Sequence, residues 1–574
     1  MRQIEIVAQD PSVRRDGKVL TARINLPWED LEPGPMGYAL YVVDYDASTA
    51  SMYRPAVLPD SDRVVAPRSL KALLSDPGYH ALNTYAIVMR TLLRFEFALG
   101  RRVGWGIRGH QLKVVPHAFE EANAFYSPDA EALLFGYVRT ARPTFLCLSH
   151  DIVAHESTHA LLDGLRDKFM APSSPDQAAL HEAFADIVAL LSVFSLKEVV
   201  THLIAPIADP DAPEGLVSKS MLTWDAIAET AFFGLAEEMR SEAPDVRVNA
   251  LRRSVKIEPE KGMLDRAEFE EEHQRGEVLV AAVMRTFLSA WVERISRLGQ
   301  GDDSYVDKAI VAEQGADIAD LMLTMSIRGI DYTPPIHISF GDFLSAVLTA
   351  DREVRADDTR YHIRDHLLRT MGEYGIKPAS GTPDGIWIPP KKKLVHEGSH
   401  LGSLQTDPTE MFRHIWNNRR TLGLNASAHT RVASVRPCVR VSPDDGFQVR
   451  ETVVECVQYL KVTAAELPSY GLKMPAGMPA ETDVVLEGGS TLVLDEYGDL
   501  KFEISNPLPS RRSSAKARHR WQERLEFLFK RGYMTLGVNR SSLLASFHRE
   551  RTLEADDTVK DSVTRDRIDS EAWT

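Results

Sequence analysis

The stretch from Asp151 to Asp163 constrains the fold of this 574-residue chain more than any other feature. It contains the pattern His-Glu-x-x-His, with His155, Glu156 and His159 among mostly small or apolar residues. Residues four apart lie on one face of a helix, so both imidazoles can reach one metal ion from adjacent turns. Glu156 stands beside the first histidine, where its carboxylate can contact a water on that ion without being a ligand. The spacing predicts a metal-bearing helix from Leu148 to about Lys168.

A second apolar segment, from Gln177 to about Val193, carries Glu182 and Asp186 four positions apart. Buried carboxylates are rarely tolerated without a cation or a hydrogen-bond partner. A metal ion accounts for both, because Glu182 completes a set of two histidines and one glutamate while Asp186 accepts the second N–H of a ligand imidazole. Salt bridges to a neighbouring helix are the other explanation. Asp163, one turn beyond His159, has either a similar supporting role or a structural one.

The pattern His155-Glu156-x-x-His159 followed by Glu182-x-x-x-Asp186 resembles that of the thermolysin-like gluzincin metallopeptidases. This resemblance implies one Zn²⁺ per chain, held by His155, His159 and Glu182, with Glu156 as general base in the hydrolysis of a peptide or protein substrate. It also implies an α+β fold whose two-lobed core has a β-rich N-terminal lobe, the zinc helices and a helical C-terminal lobe.

An upstream segment, Asn123-Ala124-Phe125-Tyr126, resembles the edge strand of the same family. The resemblance implies that Asn123 and Ala124 hydrogen-bond the backbone of an extended substrate, which would pair with the free edge of the sheet. A plain strand with an Asn turn explains the same residues.

A downstream histidine, His273, resembles the family's oxyanion-stabilising residue because it precedes an apolar helix predicted at Val278–Leu288. We expect Gly276 to let the chain turn into that helix. His337 is the rival for this role, although its apolar, strand-like neighbours favour a structural one.

The resemblance is incomplete. It covers about residues 80–376, and residues 379–574 match nothing in the family. The family's usual tyrosine, about eleven residues after the second histidine, is replaced by Phe169 and Met170. The interval between His159 and Glu182 is also a few residues longer than usual.

Periodicity and breaker residues predict five segments, and we expect an α+β fold with an extra α+β domain after the core. These are a β-rich N-terminal lobe with the edge strand (1–147), the zinc-binding helices (148–195), a helical lobe that completes the active site (196–377), a linker (378–393) and a C-terminal α+β accessory domain (394–574).

Composition excludes several classes of protein. Acidic residues outnumber basic ones by 82 to 67, so nucleic-acid binding through a global basic field is not expected. The basic helix predicted at Arg511–Arg531 is more typical of a solvated face. Three cysteines cannot build a disulfide scaffold, and we interpret Cys147 as a packing residue. With no long apolar run, we expect a cytoplasmic protein that does not enter a membrane.

Three functions fit these residues. The first is a zinc-dependent metallopeptidase. The second is a catalytically weak gluzincin-like scaffold that binds a partner through its C-terminal domain, as the missing tyrosine and the additional C-terminal residues suggest. The third is a helical interaction module in which the His-Glu-x-x-His pattern is accidental. The sequence predicts neither the cleavage preference nor the oligomeric state.

Overall fold

The computed structural model describes residues 1–15, 17–58, 63–67, 69–140, 143–166, 168–207, 212–234, 257–298 and 305–533. Helices and strands are both abundant in these residues, and the predicted α+β class is confirmed. The last part of the predicted C-terminal domain, 534–574, lies outside the described residues.

Thirteen α-helices are assigned in the described residues. They are α1 (Leu70–Leu74), α2 (Pro77–Leu99), α3 (His150–Leu165), α4 (Pro175–Phe194), α5 (Lys197–Ile204), α6 (Trp224–Gly234), α7 (Glu272–Ser296), α8 (Lys308–Gly329), α9 (Phe340–Val354), α10 (Ile363–Glu373), α11 (Leu401–Thr406), α12 (Pro408–Asn417) and α13 (Ala515–Lys530).

The strands fall into an N-terminal group and a C-terminal group, with one short pair between them. They are β1 (Arg2–Val7), β2 (Arg14–Arg15), β3 (Lys18–Val19), β4 (Thr21–Leu26), β5 (Leu40–Val42), β6 (Tyr45–Asp46), β7 (Ser51–Met52), β8 (Arg63–Val64), β9 (Leu112–Phe119), β10 (Ala124–Ser127), β11 (Ala132–Val138), β12 (Thr144–Phe145), β13 (Leu216–Ser218), β14 (Tyr305–Asp307), β15 (His429–Val441), β16 (Gln448–Thr463), β17 (Asp483–Leu494) and β18 (Leu500–Asn506).

The N-terminal strands form two main sheets. β1 pairs antiparallel with β4 and parallel with β8, and every second residue of β4 is buried, as expected for a strand with one face on a core. The second sheet has the order β10-β11-β9-β5, in which β10 pairs only with β11 among these strands. β10 is therefore an edge strand.

The central helices pack around α4, which contacts α3, α7 and α8. α4 meets the length and composition criteria for a membrane span, but 94% of that window is buried inside the structure. Its apolar surface is covered by the surrounding helices, as in the core helix of a folded domain.

The start of α7 differs from the sequence prediction. The helix begins at Glu272, six residues before the predicted Val278, because Glu271 caps it by accepting hydrogen bonds from the backbone N–H groups of His273 and Gln274. Gly276 is inside this helix and makes no turn. A Cβ there would lie 3.1 Å from the carbonyl oxygen of Ala179, so the glycine allows close packing of α7 on α4.

The C-terminal region contains the antiparallel sheet β15-β16-β17-β18, flanked by α11, α12 and α13. The preceding segment, predicted as a linker at 378–393, lies against α9. The Ala379 N–H donates to the Gly341 carbonyl (3.0 Å), and the Trp387 indole donates to the Tyr332 carbonyl (3.0 Å). This segment is thus packed against the helical lobe.

Buried ion pairs join the C-terminal sheet to the segment between α8 and α9. Arg440 on β15 pairs with Asp331 and with Glu451, and all three side chains are fully buried. Arg101, which follows α2, donates to Asp331 at 2.5 and 2.8 Å. The Tyr332 hydroxyl donates to Glu451 (2.6 Å). The described part of the C-terminal domain therefore shares its interior with the preceding helices.

Candidate metal centre

Helices α3 and α4 bring His155, His159 and Glu182 together. The Nε2 atoms of the two histidines are 2.9 Å apart, and they lie 3.6 and 3.5 Å, respectively, from the two carboxylate oxygens of Glu182. All three residues are buried, and these atoms form a group that could hold a metal ion. The three predicted ligands therefore lie close together where the two helices meet.

The protonation of His155 is fixed by Asp186. The Nδ1 atom of His155 lies 2.8 Å from Asp186 Oδ1. A carboxylate accepts, so Nδ1 carries the proton and the neutral ring turns the lone pair of Nε2 toward His159 and Glu182. Asp186 thus makes the contact that was predicted for it.

The donor set fits a divalent transition metal. Two imidazole nitrogens and one carboxylate are a usual set for Zn²⁺. With bonds of 2.0–2.1 Å, the nitrogens of a tetrahedral zinc site stand roughly 3.3 Å apart. The observed spacings of 2.9 to 3.6 Å bracket this distance. Three protein ligands leave one position open for water or substrate.

Glu156 is fully buried between α3 and the edge strand β10. Its carboxylate accepts a hydrogen bond from the backbone N–H of Tyr126 (3.0 Å). Because this N–H belongs to the edge strand, the carboxylate lies where a strand on that side would run. Glu156 follows His155 in the chain, so the carboxylate lies in the same turn of α3 as a candidate ligand.

The predicted substrate-binding residues lie at the start of the edge strand. The Asn123 carbonyl accepts from the Gly136 N–H (2.8 Å), and Ala124 pairs with Phe135 across β10 and β11. Both residues are buried, with exposed fractions of 6% and 1%.

Asp163 supports the edge strand. The Tyr126 hydroxyl lies 3.0 Å from Asp163 Oδ2, toward which it can donate. The backbone and the side chain of Tyr126 thus connect β10 to Glu156 and to Asp163, which are two turns apart on α3. The contact favours the structural alternative for Asp163.

His273 is the second residue of α7, and its position follows from the packing of α7 on α4. Gly276, one turn along α7, contacts the turn of α4 that precedes Glu182. The Nδ1 atom of His273 lies 2.6 Å from Glu271 Oε1. Burial alone would raise the pKa of Glu271, but the hydrogen bond and charge of His273 outweigh it and lower the pKa to about 2. Glu271 is therefore ionised and holds the imidazole by its Nδ1.

His337 lies in a different environment from His273. Its Nε2 donates to the Glu487 carbonyl (3.0 Å), and its ring contacts Trp521 edge-on at 5.2 Å between centroids. Both partners belong to the C-terminal domain. These contacts give His337 an interdomain packing role.

One residue of the site was missed by the sequence analysis. The ring of His181 stacks on that of His159, with centroids 4.6 Å apart and planes within 5°. This stacking fixes the orientation of His159. The available sequence signal was the position of His181 directly before Glu182. In the fold, both of these side chains contact His159 on α3.

Comparison of the sequence with protein-family models and with curated proteins gave no match.

Proposed function

We propose that this chain is a zinc-dependent metallopeptidase. The observation that carries the proposal is the convergence of two imidazole Nε2 atoms and the Glu182 carboxylate within 2.9 to 3.6 Å, next to the buried Glu156. A salt bridge alone does not require two imidazole nitrogens to face each other. Two nitrogen lone pairs that face each other repel, and a metal ion bound between them would remove this repulsion.

The bound zinc would supply Lewis acidity, which polarises a peptide carbonyl and lowers the pKa of water. Glu156 accepts the proton of the attacking water and passes it to the leaving amine. The Tyr126 N–H keeps its carboxylate oriented during both transfers. His273, held by Glu271, donates a hydrogen bond to the developing oxyanion.

The edge strand β10 supports a proposal for the substrate class. A peptide in extended conformation can pair with an edge strand such as β10 by backbone hydrogen bonds, which recognise the chain independently of its side chains. Asn123 and Ala124 would provide those contacts at the strand start. The proposed enzyme is therefore an endopeptidase with a core of the thermolysin-like, two-lobed type, acting on extended segments.

Metal analysis combined with peptide hydrolysis tests this function. His155→Ala and Glu182→Ala should each hold one metal ion fewer per chain than the parent and lose hydrolysis. His337→Ala, the matched control, should keep the ion. Unchanged metal content in both ligand variants would contradict the proposal. If the ligand variants lose the ion but the parent cleaves no peptide, the result would favour a non-catalytic scaffold.

A further inference from the structure

A second group of potential metal ligands lies in the N-terminal lobe, apart from the site described above. His80 on α2, His117 on β9 and Cys147 just before α3 place their ligand atoms within 4.8 Å of one another. All three residues are fully buried. His117 follows His80 by 37 positions and Cys147 follows His117 by 30, so no local sequence motif predicts this group.

The hydrogen bonds of the two rings leave their inner nitrogens with lone pairs. His80 Nε2 lies 2.8 Å from the Leu73 carbonyl, which only accepts, so Nε2 carries the proton of a neutral ring. His117 Nδ1 lies 2.8 to 2.9 Å from both oxygens of Asp44, so its proton is on Nδ1. The remaining nitrogens, His80 Nδ1 and His117 Nε2, face each other at 2.8 Å.

Two lone pairs at this distance require a positive particle between them, either a proton or a metal ion. The third group favours a metal ion, because a cysteine sulfur beside two imidazoles completes a metal ligand set and adds nothing to a shared proton. We propose that His80, His117 and Cys147 bind a second transition-metal ion, of the zinc class, with a structural role.

Charge and geometry agree with a divalent ion. Burial raises the pKa of the Cys147 thiol, so the thiolate would form only as the ion binds. That thiolate and the Asp44 carboxylate would then carry two negative charges, which Zn²⁺ would neutralise inside a buried site. The contact of Asp44 with the outer nitrogen of His117 is the carboxylate–histidine arrangement that orients metal ligands. Tetrahedral zinc with nitrogen and sulfur ligands needs spacings of roughly 3.3–3.6 Å. All three ligand atoms lie within 4.8 Å of one another, and the two nitrogens, 2.8 Å apart, would separate by about half an ångström to admit the ion.

The location indicates what the ion would do. It would tie helix α2, the sheet strand β9 and the residue three positions before α3. α3 carries His155, and β9 belongs to the same sheet as β10. The ion would therefore hold in place α3 and this sheet, which flank the candidate active site. Because its ligands are buried, it would enter during folding.

Cobalt substitution tests this site independently of the first one. The full-length chain is produced in zinc-depleted, cobalt-supplemented medium, so that the ion is present as the chain folds. A Co²⁺–thiolate bond gives a near-ultraviolet charge-transfer band, whereas the His155, His159 and Glu182 set has no sulfur. We expect the band in the parent, its loss in Cys147→Ser, and its retention in Cys438→Ser and Cys456→Ser.

His155→Ala separates the two sites, because it should keep the band while losing the other ion. The failure of one proposal therefore leaves the other intact. Should Cys147→Ser not fold, X-ray absorption at the cobalt edge of the parent should find sulfur at about 2.3 Å. Only nitrogen and oxygen neighbours, a parent without the band, or a band that persists in Cys147→Ser would overturn the proposal and leave a proton between the rings.

Discussion

Glu182 and Asp186, one turn apart on α4, use the same functional group in two ways. Glu182 lies near the Nε2 atoms of both histidines, whereas Asp186 contacts the outer nitrogen of His155. In a helix this apolar, each carboxylate needs a cationic or N–H partner to offset its desolvation. Under the proposed function, Glu182 would bind the ion and Asp186 would orient the His155 ligand.

His273→Ala tests the oxyanion role at the level of one side chain. Loss of a single oxyanion donor typically lowers turnover by roughly 10²–10³. We expect this loss in kcat, a smaller change in KM and full retention of metal, because the contact is made chiefly in the transition state. Steady-state kinetics with a cleaved peptide give the comparison. His337→Ala should change kcat far less, and a kinetically silent His273→Ala would exclude the role.

Helix α3 is held in place by close backbone packing at its end. A Cβ on Gly164 would lie 2.3 Å from the Gly104 carbonyl oxygen, so only glycine fits without movement. The Arg436 guanidinium donates to the Leu165 carbonyl (2.5 Å), so the C-terminal sheet satisfies a carbonyl group at the end of the helix. The C-terminal end of α3, the helix with the two candidate histidine ligands, is thus held by contacts from two sides.

Gly164→Ala measures the importance of this packing. Overpacking of a filled site typically costs about 1–3 kcal/mol, and we expect the free energy of unfolding in urea to fall by that amount. Gly104→Ala is the matched control, because a Cβ there would meet nothing within 4 Å. Equal stabilities for the two variants would mean that the loop at Gly104 moves away freely.

Helical periodicity was enough to predict the elements that carry the ligands. The predicted segments 148–168 and 177–193 correspond to α3 (His150–Leu165) and α4 (Pro175–Phe194). The start of α7 was missed because Gly276 is a turn signal in sequence but a close-packing residue in the fold. The group around Cys147 was missed for another reason: its members come from distant elements, and only the tertiary structure brings them together.

At the scale of the whole molecule, buried charge joins the C-terminal sheet to the helices that precede it. Asp331 contacts Arg101 and Arg440, which come from opposite sides of this junction. Burial alone would raise the pKa of Asp331, but the two guanidinium groups outweigh it and hold the pKa well below its ordinary value. Asp331 therefore stays ionised in the folded chain.

Asp331→Asn should destabilise the chain by roughly 3–5 kcal/mol, because two buried guanidinium groups lose their shared anion. Since the folded pKa is depressed, the Asp331 contribution is fully present above the unfolded pKa near 3.9 and is lost as the pH falls below it. Urea unfolding between pH 7 and pH 3 should thus show the difference between parent and variant shrinking with acid.

The control for this experiment is Asp483→Asn. Asp483 pairs with Lys461 at the surface, where both side chains are more than half exposed, so its loss should cost at most about 1 kcal/mol. A destabilisation of similar size in both variants would contradict the importance of the buried network.

The central claim is that this site hydrolyses peptide bonds with Glu156 as general base, and one digest tests it most directly. A peptide library is incubated with zinc-loaded parent and with Glu156→Gln at matched metal content, and new termini are identified by mass spectrometry. An amide cannot accept the proton of water, so the variant should cleave about 10²–10⁴-fold more slowly while keeping its metal. Glu313→Gln, an exposed glutamate, should cleave like the parent. A parent that generates no more termini than Glu156→Gln would contradict the account.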